Sequence, residues 1–325
     1  MTPDHSGRID VHHHVVPAIW QDAIARLSST PAIPGVDDVS WDLETDLEVM
    51  DRNGIQAALA SITAPGVAFA QGEDAVKIAR GVNEFLAGLV AEHPARYGAF
   101  ALIPLPDVDA AIEEANYALD ILKLDGIGLF THYRGTYLGD PAFDRFFALL
   151  AERQAVSFLH PVIPAASDQP TFGLPPSLYE FTFDTTRAVA SLLYSGTLDR
   201  HPDLRLILSH AGGTIPYLAQ RLTYAATISA AVAPRQPRDL LSSLRRLYYD
   251  TAMSANPHTL SGLTSLIEPD HILFGTDYPY MPESTTEATV AGVNSFFSGT
   301  DRDAIGRANS IRLFPDLARR IDAAQ

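Results

Sequence analysis

Short apolar runs rich in β-branched residues alternate along this chain with longer segments whose apolar residues recur every three or four positions. The short runs are Arg8–His13, Gln56–Ile62, Tyr97–Ile103, Gly126–Phe130, Ser157–His160, Arg205–Ser209, Leu247–Asp250 and Ile272–Thr276. Several are apolar throughout, as strands buried on both faces of a parallel sheet must be. The helical segments between them are Asp42–Asn53, Glu73–His93, Asp107–Leu124, Pro141–Gln154, Asp184–Asp199, Thr214–Ala226, Thr259–Ile267, Ser284–Phe297 and Asp301–Leu313. Gly54 ends the first, Pro94 stops the second, and Asp140-Pro141 opens the fourth with a cap and an N1 proline. Eight strands alternating with helices predict an α/β chain closed into a (β/α)8 TIM barrel, a single domain over residues 1–325. An open doubly wound sheet would call for a glycine-rich phosphate loop after the first strand. This first strand runs into His12-His13-His14 instead.

Side chains two apart on a strand share a face, so His12 and His14 can grip one cation while His13 points the other way. Three more runs end in a group able to bind metal or move a proton. His160 closes Phe158-Leu159-His160-Pro161, His210 follows Ile207-Leu208-Ser209, and Asp277 follows Phe274-Gly275-Thr276. In a barrel all strand C-termini converge on one face, and buried ionisable groups without partners are costly. The convergence predicts a site for a divalent ion such as Zn²⁺, Mn²⁺, Fe²⁺ or Co²⁺. Of the remaining histidines, His5, His93, His201 and His271 fall in loop or surface contexts.

Composition removes other chemistries. There is no Cys, hence no disulfide, thiolate metal site or Cys nucleophile. A net charge of −16 repels phosphate backbones, so no nucleic-acid partner is expected. No apolar stretch approaches the roughly 20 residues of a membrane span. Met1–Asp10 is polar and has no signal-type apolar core, so a cytoplasmic protein with no membrane partner is expected. The acidity also gives no help with an anionic substrate, which must be held by a few local cations.

The strand-end groups, taken with Ile9–Pro17, His160-Pro161, His210-Ala211-Gly212-Gly213, Tyr248-Tyr249-Asp250-Thr251-Ala252, Gly275–Pro279 and Asn309–Phe314, resemble the amidohydrolase superfamily. The likeness is to its decarboxylase branch, the relatives of aminocarboxymuconate-semialdehyde decarboxylase. Phe181–Arg187 with Ser209–Gly213 looks most like the 6-methylsalicylate decarboxylases. The resemblance implies a distorted TIM barrel with one divalent ion at its C-terminal face, Zn²⁺ in first place and Mn²⁺ as the alternative. It implies His12, His14, His160 and Asp277 as ligands, with His210 and Asp277 as the catalytic groups. It also implies that Arg221, eleven residues after His210, binds substrate and can reach a neighbouring subunit's site, so a homodimer or dimer of dimers is expected. Tyr217 stands where the semialdehyde decarboxylase has a second arginine, which favours a monocarboxylate substrate. Binuclear relatives bridge their ions with a carboxylated Lys at the end of strand four. No Lys stands near Phe130–Thr131, and Lys77 and Lys123 are the chain's only lysines, so one ion is expected.

The expected reaction is non-oxidative decarboxylation of a small aromatic or related unsaturated carboxylic acid, with salicylate-type substrates favoured. Direct loss of CO₂ would leave an aryl carbanion. Protonation of the ring carbon by His210 or a protonated Asp277 avoids it. The alternative is a metal-dependent hydrolase of a lactone or amide, using the same groups to activate water. A non-catalytic metal-binding barrel is a third reading. Further substrate-binding candidates are His132, after strand four, and Arg187, which is equally placed to pair Asp184 one turn back. His258 is a candidate pocket residue, and Trp20 and Trp41 are candidates for core or pocket wall.

Overall fold

Eight parallel strands follow one another around the sheet in chain order in the computed structural model: β1 (Arg8–His14), β2 (Ile55–Ser61), β3 (Tyr97–Ala101), β4 (Gly126–Phe130), β5 (Val156–His160), β6 (Arg205–Leu208), β7 (Tyr248–Asp250) and β8 (Ile272–Leu273). The described residues are 7–324 except 30, 34, 37, 38, 165–169 and 171, and His5 lies outside them. Helices connect successive strands, as the alternation of patterns required. No helix among the described residues is long and apolar enough to cross a membrane.

Two helical segments contain a π turn that their sequence spacing does not reveal. Asp107–Leu124 is an α-helix only over Val108–Asn116 and then widens into a π turn at Tyr117–Ile121. Asp301–Leu313 is likewise interrupted, by a π turn at Ala304–Ala308. The apolar spacing is satisfied either way, so it does not distinguish one wide turn from a regular helix.

The barrel interior is filled by side chains from most of the strands. Ile9, Val11, Leu59, Phe100, Phe158 and Ile207 form one cluster, and Phe314, Leu317 and Ile321 of the last segment join it. The outer strand faces pack with the helices in a second, larger cluster.

Strand β1 does not hold a single register. Its pairing with β2 slips between Asp10 and His13. Ile9 and Val11 lie in the interior cluster. Beyond them His12 and His14 face the interior, while His13 points the other way and bridges Asp10 and Asp46 of the helix Leu43–Arg52. An irregularity of this kind re-aims side chains beside active sites.

The β8–β1 seam is also irregular. The apolar run predicts a strand to Thr276, but the ladder ends at Leu273. The following residues close the barrel through separate bonds. Val11 N–H donates to Phe274 O at 2.9 Å, Asp277 N–H to His12 O at 2.8 Å, and His14 N–H to Tyr278 O at 2.8 Å. The Asp10 carboxylate takes the amide and hydroxyl of Thr276 at 3.1 and 2.6 Å.

Candidate metal centre and active site

His12 and His14 end β1, His160 ends β5, and Asp277 follows β8. One ligand atom from each of these four buried residues lies within 4.8 Å of all the others. Every imidazole is pinned through Nδ1. His12 Nδ1 lies 2.7 Å from Asp250 Oδ2, His14 Nδ1 is 2.9 Å from Ser61 Oγ, and His160 Nδ1 is 2.8 Å from Pro161 O. Such bonds fix ring orientation and tautomer and leave Nε2 as the ligand atom. The Nε2 atoms of His12 and His14 are 3.2 Å apart, and each is 3.1 Å from Asp277 Oδ1. Three buried nitrogens and a carboxylate aimed at one point fit a divalent ion.

The electrostatics of His14, His160 and Asp277 agree with that fit, whereas the carboxylates around His12 favour its protonated form, whose proton a bound cation would displace. Burial pushes His12 down, but Asp250 and Asp277 carry it up to about 10. Burial holds His14 low and, with the neighbouring imidazoles, holds His160 well below the usual histidine value. Burial would raise Asp277, yet His12 and the hydrogen bonds from His12, His14 and His210 hold it well below the usual carboxylate range. Asp277 is therefore an ionised carboxylate facing imidazoles, the state a metal ligand needs.

His210 opens the turn after β6. Its Nε2 is 3.5 Å from Asp277 Oδ2, and its backbone N–H donates to Asp250 Oδ1 at 2.8 Å. Nδ1 is buried and has no partner among the described residues. His210, Ala211 and Asp277 all have left-handed backbones, with φ of 54°, 55° and 67°. Strained residues of this kind persist where the surrounding structure over-determines them, often at functional sites. Gly213 closes the turn at φ 63°, where a Cβ would sit 2.1 Å from Thr182 O, so only glycine fits.

A cavity of about 310 Å³ opens over these residues. His160, His210 and Asp277 line it, and Leu178, Phe181 and Met253 contribute to an apolar wall. Among the described residues no Lys or Arg lines it.

Several predicted residues stand elsewhere. Arg187 is exposed, 3.3 Å from Glu180 and 3.7 Å from Asp184, and does not line the cavity. His132 is buried with both ring nitrogens engaged: Nε2 is 3.0 Å from Ile163 O, and Nδ1 accepts from Gly135 N–H at 3.1 Å. It too is outside the lining, and His258 is exposed on the helix Pro257–Thr264. Arg221 is exposed on the helix Ile215–Leu222. Trp20 is core, donating to Gly66 O at 2.8 Å, and Trp41 donates to Asp46 at 2.6 Å. Lys77 pairs with Glu73 on a helix surface and Lys123 precedes β4, so neither reaches the metal site.

Sequence reasoning named Asp250 and Ser61 only as parts of motif or strand. Asp250 ends β7 on the same rim as the four ligands, and that position is the signal that could have marked it. Ser61 ends β2 with a hydroxyl, which carries no comparable signal.

A family model described as amidohydrolase matches residues 9–315. The chain belongs to the amidohydrolase family. This amidohydrolase is 38% identical to the 6-methylsalicylic acid decarboxylase of Aspergillus aculeatus, over 96% of this chain and 97% of that one. It is 31% identical to a gamma-resorcylate decarboxylase of Rhizobium sp., over 83% and 86%. The fold matches a crystal structure of a dihydroxybenzoic acid decarboxylase from Polaromonas, with bound manganese and the inhibitor 2-nitroresorcinol, at a TM-score of 0.80 and 25% identity, over 95% of this chain and 97% of that one. Family and fold are those implied by the strand-end motifs.

Proposed function

We propose that this amidohydrolase is a metal-dependent, non-oxidative decarboxylase of a salicylate-type aromatic acid. The observation that carries the reading is the pinned three-imidazole, one-carboxylate cluster on the floor of an apolar cavity, with His210 beside it. His12, His14, His160 and Asp277 would hold a single ion, Zn²⁺ by its donor set, with Mn²⁺ as the alternative supported by the Polaromonas relative. Bound there, the ion would supply Lewis-acid polarisation of the substrate's oxygens.

The chain's own residues account for the rest. The apolar wall holds the ring and excludes water. Asp277 is ionised among the imidazoles, which leaves proton delivery to His210. The proton goes to the ring carbon bearing the carboxylate. The bond to the carboxylate then breaks, its electron pair restores the aromatic ring, CO₂ leaves, and His210 regains a proton from water. Because no Lys or Arg lines the cavity among the described residues, Arg221 of a second copy would complete the carboxylate site, making a homodimer the smallest active unit.

The test is incubation of the metal-loaded protein with salicylate-type acids, lactones and amides. Release of CO₂ with one phenol formed per CO₂ is expected. Acid production from a lactone without CO₂ release from any aromatic acid would establish the hydrolase instead. His210→Ala should keep its metal and lose at least about 100-fold in rate.

A further inference from the structure

The cavity wall beyond the metal cluster and His210 is apolar apart from a few hydroxyl side chains, and these are not equivalent. The Thr182 hydroxyl donates to Tyr179 O at 2.7 Å and is already committed. Ser177 and Tyr280 are only half-buried, and Tyr280 is already engaged. Thr63 and Ser254 are 2% and 7% exposed, and neither hydroxyl has a hydrogen-bond partner among the described residues. Buried hydroxyls are normally partnered. Two that line the same cavity without a protein partner are open to it and available to a ligand.

Both backbones are held in place. Gly66 N–H donates to Thr63 O at 3.0 Å, and Ser254 N–H donates to Thr251 O at 3.0 Å. Both also follow a residue that pins a metal-facing imidazole. Thr63 comes shortly after Ser61, which holds His14, and Ser254 shortly after Asp250, which holds His12. Strands β2 and β7 flank the pair β1 and β8 that carries His12, His14 and Asp277. The two hydroxyls therefore follow strands on either side of these ligands, in a cavity without Lys or Arg in its described lining.

We propose that Thr63 and Ser254 are specificity-determining residues whose hydroxyls donate to the acidic oxygens of the aromatic substrate, its carboxylate and an adjacent ring oxygen. A hydroxyl bonded to a charged oxygen is worth more than a neutral pair, so two of them make up part of what a missing cation would supply. An acid with an oxygen beside its carboxylate engages both hydroxyls, and one without it leaves a buried hydroxyl unpaired. The proposal rests on the decarboxylase reading for the identity of the ligand.

The experiment compares Thr63→Val, Thr63→Ser and Ser254→Ala with the wild-type protein, all metal-loaded. Calorimetry measures binding of salicylate and benzoate, elemental analysis measures metal content, and steady-state kinetics separates KM from kcat. Thr63→Val and Ser254→Ala should each weaken salicylate binding about tenfold, the loss expected for a hydrogen bond to a charged group. KM should rise with it while kcat changes much less. The preference for salicylate over benzoate should shrink, metal content should hold, and Thr63→Ser should behave as wild type. Unchanged salicylate affinity in both deletions overturns the proposal. So does metal loss in parallel with affinity, which would make the two residues supports of the metal cluster, and so does a wild-type protein that binds no salicylate. Salicylate binding that depends on the two hydroxyls without any CO₂ release would sink the decarboxylase reading and leave this assignment standing.

Discussion

Asp250 divides its two oxygens between the two halves of the chemistry. Oδ2 holds the ring of His12 at 2.7 Å, and Oδ1 accepts the backbone N–H groups of His210 at 2.8 Å and Ala252 at 3.0 Å. One carboxylate thus orients an imidazole of the candidate metal cluster and the left-handed turn that presents His210, the proposed proton carrier. An amide of the same size must turn an NH₂ toward a donor on one side or the other. Asp250→Asn should therefore weaken metal binding by about 10–100-fold, the usual cost of losing such a support. It should also lower the rate at saturating metal, because the His210 turn loosens. Competition with a chelator measures the first effect, and wild-type metal affinity in the variant would remove Asp250 from this role.

At the level of elements, the weak point of the barrel is the seam between β8 and β1, where the regular ladder stops after Leu273. Asp10 replaces it. Its carboxylate receives the N–H of His12 at 3.0 Å, the N–H and hydroxyl of Thr276 at 3.1 and 2.6 Å, and His13 Nδ1 at 3.1 Å. Four donors saturate the acceptor sites of one carboxylate. Because the clasp joins the residue next to Asp277 with His12 itself, it also sets the distance between ligands on the two strands. Asp10→Ala leaves several buried donors unsatisfied, at about 1–3 kcal/mol each. A loss of roughly 3 kcal/mol or more in denaturant unfolding is expected from that cost, with weaker metal binding alongside it. A variant as stable as wild type would show that backbone bonds alone hold the seam.

For the whole molecule, the question is where a substrate carboxylate finds a positive charge. The chain carries −16 overall, and no Lys or Arg lines the cavity among the described residues. Arg221 is exposed on the helix that follows the His210 turn. Around it lie Tyr217, Tyr224 and Ile228, at 88%, 51% and 75% exposure, an apolar surface suited to contact with a second copy. The planar fork of arginine suits bidentate carboxylate binding. Arg221→Ala should weaken substrate binding or turnover with metal retained. Mixing that variant with His210→Ala should restore part of the activity, because a hybrid dimer contains one intact composite site. A fully active monomer in sedimentation, or well-mixed hybrids without rescue, would exclude the shared site.

The convergence of the candidate ligands was legible in the sequence because a parallel barrel brings every strand C-terminus to one rim, so a strand that ends in His or Asp is enough to place that group there. That His12, His14, His160 and Asp277 converge needed no long-range information beyond the alternation of strand and helix, whereas setting His210 apart from them came from the family resemblance. Asp250 shares that rim position, but what it holds was not legible, and Asp10 has no such position. Asp250 meets His12 across 238 residues and Asp10 meets Thr276 across 266, contacts that exist only once the barrel closes. The position of His132 after a strand suggests a substrate contact, and that of Arg187 either a substrate contact or a partner for Asp184, which it meets at 3.7 Å. Whether such a side chain faces the cavity depends on how its helix or loop packs, and here both are engaged elsewhere. The slip in β1 is of the same kind. Alternation relates His12 to His14, but only pairing with β2 decides that Val11 and His12 both serve the interior, because register is a property of two strands and not of one.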